Sequence, residues 1–228
     1  MVRPKQERFL EIAKPWHVVA IAKELPSDLI TPVDAYYATG ASYLLESSER
    51  GMAVGRYSFL GIEPQVRLSI SGETCTVVEE GKEKRYTAAD PLRLAGEILR
   101  RYPYVGEGDL SPFPGGAVGY VGYEMIRRWE RFSGESGKPG LGLPDSIFMV
   151  TRFNLVFDNL MHTFKIICNQ LVGEDPAASY AEALAGIAKI ERLLEESAGT
   201  RLEKAAPPKC GPLTSGFPKQ RFVAGAGR

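Results

Sequence analysis

Strand-like segments joined by short turns recur along this chain and restrict the folds open to it. Residues 147–157 and 163–169 are apolar runs on either side of an Asp-Asn turn, and residues 74–78 and 84–87 flank a Glu-Gly-Lys turn. Turn residues between two such runs are typical of β-hairpins, whose strands are antiparallel. Residues 66–72 alternate polar and apolar side chains, which predicts a strand with one buried face.

Helical patterns are fewer, and they do not alternate strictly with the strands. Apolar residues recur at helical spacing in 33–38, in 91–99 (Leu92, Ala95, Ile98 and Leu99) and in 176–196. A parallel α/β sheet would need a helix between successive strands. The pattern therefore predicts an α+β fold, mainly antiparallel β-sheets with helices packed outside.

The end of the chain has a different composition. Residues 1–196 carry the strand and helix patterns, whereas 197–216 contain three prolines and few bulky apolar side chains, which is typical of a linker. Residues 217–228 begin as a helix with a proline near its start and then reach Gly-Ala-Gly-Arg. We interpret this last segment as the truncated start of a second domain.

Charge and composition argue against several classes of function. Lys plus Arg equals Asp plus Glu at 28 each, and no basic stripe is present, so we expect no nucleic-acid partner. No apolar run reaches the roughly 18 residues of a membrane helix, and the first residues are too polar for a secretion signal. Cys75, Cys168 and Cys210 are far apart in the sequence and odd in number. Together these features predict reduced thiols in a cytoplasmic protein that does not bind membranes.

One segment, Ser42 to Ser47, has the composition of a small-molecule site. On a strand, Tyr43, Leu45 and Ser47 share one side and Glu46 points to the other. Glu46 suits an ammonium group, Ser47 and strand N–H groups suit a carboxylate, and Leu and Tyr suit an apolar side chain. A strand that leaves the core and enters a polar turn would look the same, so both interpretations stay open.

Other polar or glycine-rich features give weaker evidence of a functional site. Arg56 is expected to pair with an acid such as Glu46 or with a ligand carboxylate, or else to form a surface ion pair. Gly119 and Gly122 interrupt an apolar run, where glycine usually lets another backbone or a ring approach closely. His17 and His162 are the two histidines, and neither has the surroundings of a catalytic base. The sequence offers no catalytic constellation.

Several stretches in consistent order resemble the amino-terminal region of anthranilate synthase component I. They are Asp28–Val33 (DLITPV), Leu44–Ser47 (LLES), Gly55–Gly61 (GRYSFLG), Pro114–Tyr120 (PGGAVGY), Pro144–Ile147 (PDSI), Leu155–Asp158 (LVFD) and Phe217–Val223 (FPKQRFV). Aminodeoxychorismate synthase component I shares the Gly-Gly-x-x-Gly-Tyr segment. The LLES motif together with Thr-Pro-Val favours anthranilate synthase, the enzyme of tryptophan biosynthesis, over aminodeoxychorismate synthase.

The resemblance implies a regulatory and structural part of a tryptophan-biosynthetic lyase. In that family, LLES helps to form the tryptophan feedback site, which gives Leu45, Glu46 and Ser47 a role in binding tryptophan. The family's chorismate pocket and the glutamates that bind Mg²⁺ lie in a catalytic domain beyond residue 228, and ammonia comes from a glutamine amidotransferase subunit. The resemblance therefore implies that this chain alone is inactive and holds no cofactor, with Mg²⁺ needed by the complete enzyme. The alternative is a stand-alone module that binds an aromatic amino acid.

Overall fold

A computed structural model describes residues 1–46, 55–87, 90–106, 110–130 and 142–198. Its strands are β1 (Val2–Arg3), β2 (Val18–Pro26), β3 (Tyr43–Leu45), β4 (Tyr57–Ser71), β5 (Thr74–Glu79), β6 (Lys82–Thr87), β7 (Tyr104–Val105), β8 (Ala117–Val121), β9 (Ser146–Asp158) and β10 (Thr163–Leu171). Its α-helices are α1 (Gln6–Ile12), α2 (Pro32–Thr39), α3 (Pro91–Arg100) and α4 (Pro176–Ala198), and Tyr123–Arg128 is a 3₁₀ helix. The fold is α+β, as predicted. Helix α4 includes residues 197 and 198, where the predicted linker 197–216 begins, and the rest of that linker and the segment 217–228 lie outside the described residues.

The described strands form one sheet in the order β1-β2-β10-β9-β4-β5-β6. In addition, β3 pairs with β4, β8 pairs with β9, and β7 pairs with β2 as a parallel neighbour of an otherwise antiparallel sheet. The sheet is organised around β4 and β9, which pair with each other over most of their 15 and 13 residues. On its other edge, β4 pairs with β3 along its first half and with β5 along its second half. In the same way, β9 pairs with β8 along its first half and with β10 along its second half.

The sequence pattern predicts separate strands at residues 56–61 and 66–72, whereas the structure has the single strand β4. The pairing between β4 and β9 shifts register between Pro64 and Val66, next to Glu63 with its positive φ of 55°. Such a bulge bends a strand and interrupts its alternation without ending the pairing. This interruption is why the pattern looked like two elements.

The predicted hairpins are confirmed. Glu80 and Gly81 join β5 to β6 with φ values of 50° and 73°, and positive φ at both turn residues is what a tight two-residue hairpin requires. The second hairpin joins β9 to β10 after Asp158, whose carboxylate accepts hydrogen bonds from the backbone N–H groups of Leu160 and Met161, both at 3.1 Å.

One face of the sheet is covered by α1, α2 and α4. Alternate strand residues such as Ile21, Leu155 and Ile166 are fully buried there, against Phe9 of α1 and Ile187 of α4. Helix α2 begins with a capping box, in which the Thr31 hydroxyl accepts from the Asp34 N–H and the Asp34 carboxylate accepts from the Thr31 N–H. The helices therefore stack on one face and leave the other face to loops.

Helix α3 covers a second, smaller core beside β4 and β5, with part of the predicted face: Ala95 and Ile98 pack in this core, as predicted. Leu94 and Ile98 are buried in this core, whereas Leu92 and Leu99 are each 38% exposed. Leu94 and Ile98 are four residues apart and so share one side of the helix. The sequence contains two overlapping apolar stripes, and contact with the sheet selects one of them. No described helix is long and apolar enough to span a membrane.

Candidate functional site

The sheet face that the helices leave uncovered carries a buried polar cluster. The Tyr43 hydroxyl donates to Asn154 Oδ1 at 2.7 Å, and the Thr151 hydroxyl donates to the same oxygen at 3.2 Å. Thr151 and Asn154 are 1% and 0% exposed. Burial raises the pKa of Tyr43, and its hydrogen bond with Thr151 offsets part of that rise, so the phenol stays a proton donor at neutral pH.

A segment of backbone, residues 110–116, crosses this face, and we call it the strap. The Pro114 carbonyl in the strap accepts hydrogen bonds from Asn169 Nδ2 at 3.0 Å and from Asn154 Nδ2 at 3.3 Å. A side chain at Gly115 would overlap the Asn169 amide, so glycine is required for this approach. The Leu110 carbonyl also accepts from Lys165 Nζ at 2.9 Å. Strands β9 and β10 thus hold the strap through the carbonyls of Pro114 and Leu110.

The end of β3 lies on the same face as the polar cluster. Tyr43 is buried opposite Gly61, whereas Leu45, opposite Phe59, is 44% exposed. The Phe59 ring lies 5.8 Å from Phe113 of the strap and 6.1 Å from Tyr57, measured between ring centroids. An aromatic surface therefore lies beside Leu45, which suits the apolar part of the predicted ligand.

The predicted site residues fall at the exposed end of this strand. Leu45 and Glu46 are both exposed, and Ser47 lies outside the described residues. The increasing exposure from Tyr43 to Glu46 fits a strand that leaves the core, and it also fits a strand that presents its end to a ligand. Tyr57 and Phe59 also pack against a buried apolar cluster of the sheet, so the aromatic surface fits both interpretations.

Arg56 pairs with a different acid from the Glu46 that the sequence suggested. Its Nε lies 3.0 and 3.1 Å from the two Asp158 carboxylate oxygens, and its Nη2 lies 2.6 Å from Oδ2. The guanidinium also lies 4.9 Å from the centroid of the Tyr57 ring. The reason is the pairing of β4 with β9, which places Tyr57 opposite Asp158 and so brings Arg56 alongside. Arg56 therefore fixes the edge of the candidate site and is already paired.

This ion pair predicts a component of stability that is lost in acid. Arg56 holds the pKa of the Asp158 carboxyl below its ordinary 3.8, with further help from two backbone N–H groups. A carboxyl whose pKa is lowered by folding stabilises the protein above its unfolded pKa of about 3.9, and this contribution is lost as the pH falls through the lower folded value. At pH 6 we expect Asp158→Asn to lower the melting temperature by about 4–8 °C. As the pH falls below about 3.9 and through the lower folded pKa of Asp158, the difference from the unmodified chain should shrink towards zero.

Thermal melts from pH 2.5 to 7 measure this difference. A matched control is Glu83→Gln, because the Glu83–Arg85 pair is much more exposed and should change stability by less than about 0.5 kcal/mol. A deficit of Asp158→Asn that stayed constant down to pH 2.5 would contradict this account.

The two interrupting glycines behave as predicted. A side chain at Gly119 would overlap the Ile147 carbonyl, and one at Gly122 would come within 2.7 Å of the Asp145 carbonyl oxygen. Both glycines therefore allow a neighbouring backbone to approach closely. They shape the sheet beside the strap and contribute no reactive group.

Asn154 and Asn169 are functional candidates that sequence reasoning missed. Each is an amide inside an otherwise apolar run of a buried strand, and that interruption was the available signal. The histidines stay away from this face: His17 Nδ1 lies 3.0 Å from the Pro15 carbonyl, and His162 is exposed in the turn after β9. Within the described ranges, no three His, Cys, Asp or Glu side chains come together as they would around a metal ion.

Comparison with known proteins gives a consistent set of relatives. The anthranilate synthase component 1 of Pseudomonas putida is 33% identical over 199 residues, covering 83% of this chain and 39% of that protein. The corresponding protein of Pseudomonas aeruginosa is 33% identical over 212 residues, covering 90% and 41%. That of Acetivibrio thermocellus is 28% identical over 195 residues, covering 84% and 39%.

A solved structure is also similar. It is anthranilate synthase component I from Streptococcus pneumoniae TIGR4, with a TM-score of 0.49 and 24% identity, covering 74% of this chain and 36% of that one. No family model matches the sequence. The chain spans about two fifths of the length of the curated relatives that it matches. Over most of its own length, the chain is therefore similar in sequence to the anthranilate synthase component 1 proteins.

Proposed function

We propose that this chain supplies the regulatory and structural amino-terminal part of an anthranilate synthase component 1. The observation that carries the proposal is the 33% identity to the Pseudomonas aeruginosa protein over 90% of this chain. The complete enzyme would convert chorismate to anthranilate and pyruvate in tryptophan biosynthesis. Its ammonia would come from a glutamine amidotransferase partner, and its chorismate-binding domain would contact this chain.

Within that role, we assign part of a tryptophan feedback site to the end of β3. The indole ring would lie beside Leu45 on the surface that Tyr57, Phe59 and Phe113 form, because an apolar ring gains most from contact with other apolar rings. Glu46 offers a carboxylate for the ammonium group. Ser47 would meet the ligand's carboxylate, together with backbone N–H groups at the strand end.

The surroundings support a rigid strand end. Tyr43 is tied to β9 through Asn154, and Arg56 is tied to Asp158 beyond it. Rigid supporting contacts reduce the entropy lost when a ligand binds. A ligand at the end of β3 would therefore meet a prearranged surface.

Mg²⁺ is expected for the complete enzyme, but the described residues of this chain do not provide a site for it. In those residues, no three His, Cys, Asp or Glu side chains come close enough together to hold a metal ion.

Replacing Ser47 with phenylalanine tests the feedback site. In a complete anthranilate synthase that carries this sequence, we expect Ser47→Phe to raise the tryptophan concentration needed for half inhibition by a factor of about ten or more. The added ring would fill the space of the ligand's polar head, and turnover without tryptophan should stay largely unchanged. Anthranilate fluorescence with increasing L-tryptophan measures both quantities.

Ser71→Phe is the matched control, because it adds the same ring at an exposed residue at the far end of β4. It should leave inhibition unchanged. If Ser47→Phe is inhibited at the same tryptophan concentrations as the unmodified enzyme, the assignment of Ser47 is wrong.

A further inference from the structure

Strand β8 has a free edge. On one side it pairs with residues 146–150 of β9, and on its other side no strand of the described part of the chain pairs with it. The N–H and C=O groups of a strand point alternately to its two sides, so about half of those of β8 point away from β9. The exposure of its last residues agrees with a free edge: Gly119 is exposed, and Tyr120 and Val121 are 41% and 46% exposed.

The other free edges of the described sheet are protected against pairing with another strand. Strand β6 has six residues, and the four side chains from Lys82 to Arg85 are charged. Strands β1, β3 and β7 have only two or three residues each. Charged side chains and short length are common means by which proteins prevent edge-to-edge association. Strand β8 has neither protection, because its five residues, Ala117–Val121 (AVGYV), carry no charge.

Exposed apolar side chains continue from this edge. The Tyr120 hydroxyl donates to the Pro144 carbonyl at 2.7 Å, which brings the neighbouring Leu143 close to the end of β8. Tyr123 and Leu143 are 81% and 68% exposed. Large exposed apolar side chains that are grouped in one place are typical of protein interfaces, and tyrosine is enriched there. The free edge and the exposed apolar side chains therefore lie at the same place in the fold.

The length of the relatives indicates what covers this edge. The matched part makes up 39% and 41% of the two Pseudomonas proteins, so about three fifths of such a protein lies outside this chain. A strand within the same molecule has a high effective concentration at the edge and can pair through few contacts. Residues 117–123 carry no charge. A charged partner strand would therefore lose hydration there without gaining an ion pair.

We propose that the free edge of β8 pairs with a β-strand from the part of the longer protein that lies outside this chain, and that this strand is uncharged and largely apolar. Backbone hydrogen bonds to Ala117–Val121 hold the strand, and Tyr123 and Leu143 pack beside it. The source of the strand rests on the proposed function, whereas the free edge does not depend on it. The sheet then continues from one part of the protein into the other and joins them as one rigid unit.

Hydrogen–deuterium exchange measures this pairing directly. The purified chain is compared with a hybrid protein, in which this chain replaces the matched part of the Pseudomonas aeruginosa relative. In the purified chain, the outward-pointing amides of residues 117–121 should exchange about as fast as those of residues 82–87, at the charged edge. In the hybrid, the amides of 117–121 should exchange more slowly by a factor of about 100 or more, while those of 82–87 stay fast.

A charged side chain on the edge tests the pairing in the hybrid. Because charge on an edge strand disfavours pairing, the amides of residues 117–121 should exchange at least about ten times faster in Val121→Lys than in the unmodified hybrid. Thr87→Lys is the matched control, since it adds the same side chain to an exposed residue of β6. It should leave the exchange of residues 117–121 unchanged.

Three results would overturn the proposal. Protection of residues 117–121 in the purified chain at every concentration would show that this chain covers its own edge. Protection that rises with the concentration of the purified chain would show that a second copy covers it. Equal exchange in the chain and the hybrid would show that no strand is added. The first two results decide even if the hybrid does not fold.

The activity of the hybrid tests the proposed function separately. Anthranilate fluorescence with chorismate, Mg²⁺ and ammonia measures it, and exchange at β8 does not depend on turnover. A hybrid that protects residues 117–121 but makes no anthranilate contradicts the proposed function and supports the added strand. A hybrid that makes anthranilate but leaves these amides unprotected contradicts the added strand alone.

Discussion

Replacing Gly119 with valine is expected to prevent β8 from pairing with β9 and to lower the free energy of unfolding by more than about 3 kcal/mol. A side chain at this position would overlap the carbonyl group of Ile147. That carbonyl belongs to the backbone of β9, which β4 holds along its other edge. The backbone cannot move aside without breaking hydrogen bonds in the centre of the sheet. Urea denaturation followed by circular dichroism measures the loss.

Gly96→Ala provides the matched control for this change. Gly96 lies inside helix α3, and the nearest atoms to an added methyl group belong to the end of Arg100, at 3.8 Å. Because alanine favours helix over glycine, this variant should gain about 0.5–1 kcal/mol. A Gly119→Val protein with ordinary stability would show that β8 does not approach β9 as described.

Replacing Gly61 with valine is expected to detach the end of β3 and, if the feedback site proposed above is right, to weaken tryptophan binding tenfold or more. The Tyr43 ring lies directly over Gly61, and a side chain there would overlap it. Tyr43 cannot swing away cheaply, because it is buried and its hydroxyl donates to Asn154. We expect a stability loss of about 1–3 kcal/mol, since the core on the other face stays intact. Calorimetric titration with L-tryptophan and urea denaturation measure the two effects.

A double-mutant cycle separates the clash from other effects of valine. Tyr43→Ala removes the ring, so adding Gly61→Val to it should cost much less stability than Gly61→Val does alone. If the two changes instead add without coupling, the ring does not depend on the glycine. That outcome would also remove the structural reason for linking Tyr43 to the end of β3.

The hairpins and helix α4 could be predicted from the sequence because their determinants are local. The Glu80-Gly81 turn contains glycine where a positive φ is needed, and α4 repeats apolar residues over 23 positions. Such signals depend on neighbours in the chain and survive without knowledge of the tertiary structure. The antiparallel α+β class followed from them.

The contacts that define the candidate site could not be predicted in this way. The partners Arg56 and Asp158 are 102 residues apart, and Tyr43 and Asn154 are 111 apart. Arg56 had several acids available, and only the register between β4 and β9 selects Asp158. The buried face of α3 was predicted only in part, because two apolar stripes overlap and contact with the sheet selects between them. The role of Ser47 stays a prediction.

The position of β2 in the sheet has a consequence for the order in which this protein acquires structure during synthesis. Strand β2 pairs along its length with β10, so residues 18–26 cannot form these backbone hydrogen bonds until residues 163–171 have been synthesised. At about 5–20 residues per second, a ribosome needs roughly 7–30 s to make the intervening chain. Throughout that interval, the apolar residues 18–26 have no long strand with which to pair. The nascent chain is therefore a natural client for chaperones that bind exposed apolar segments.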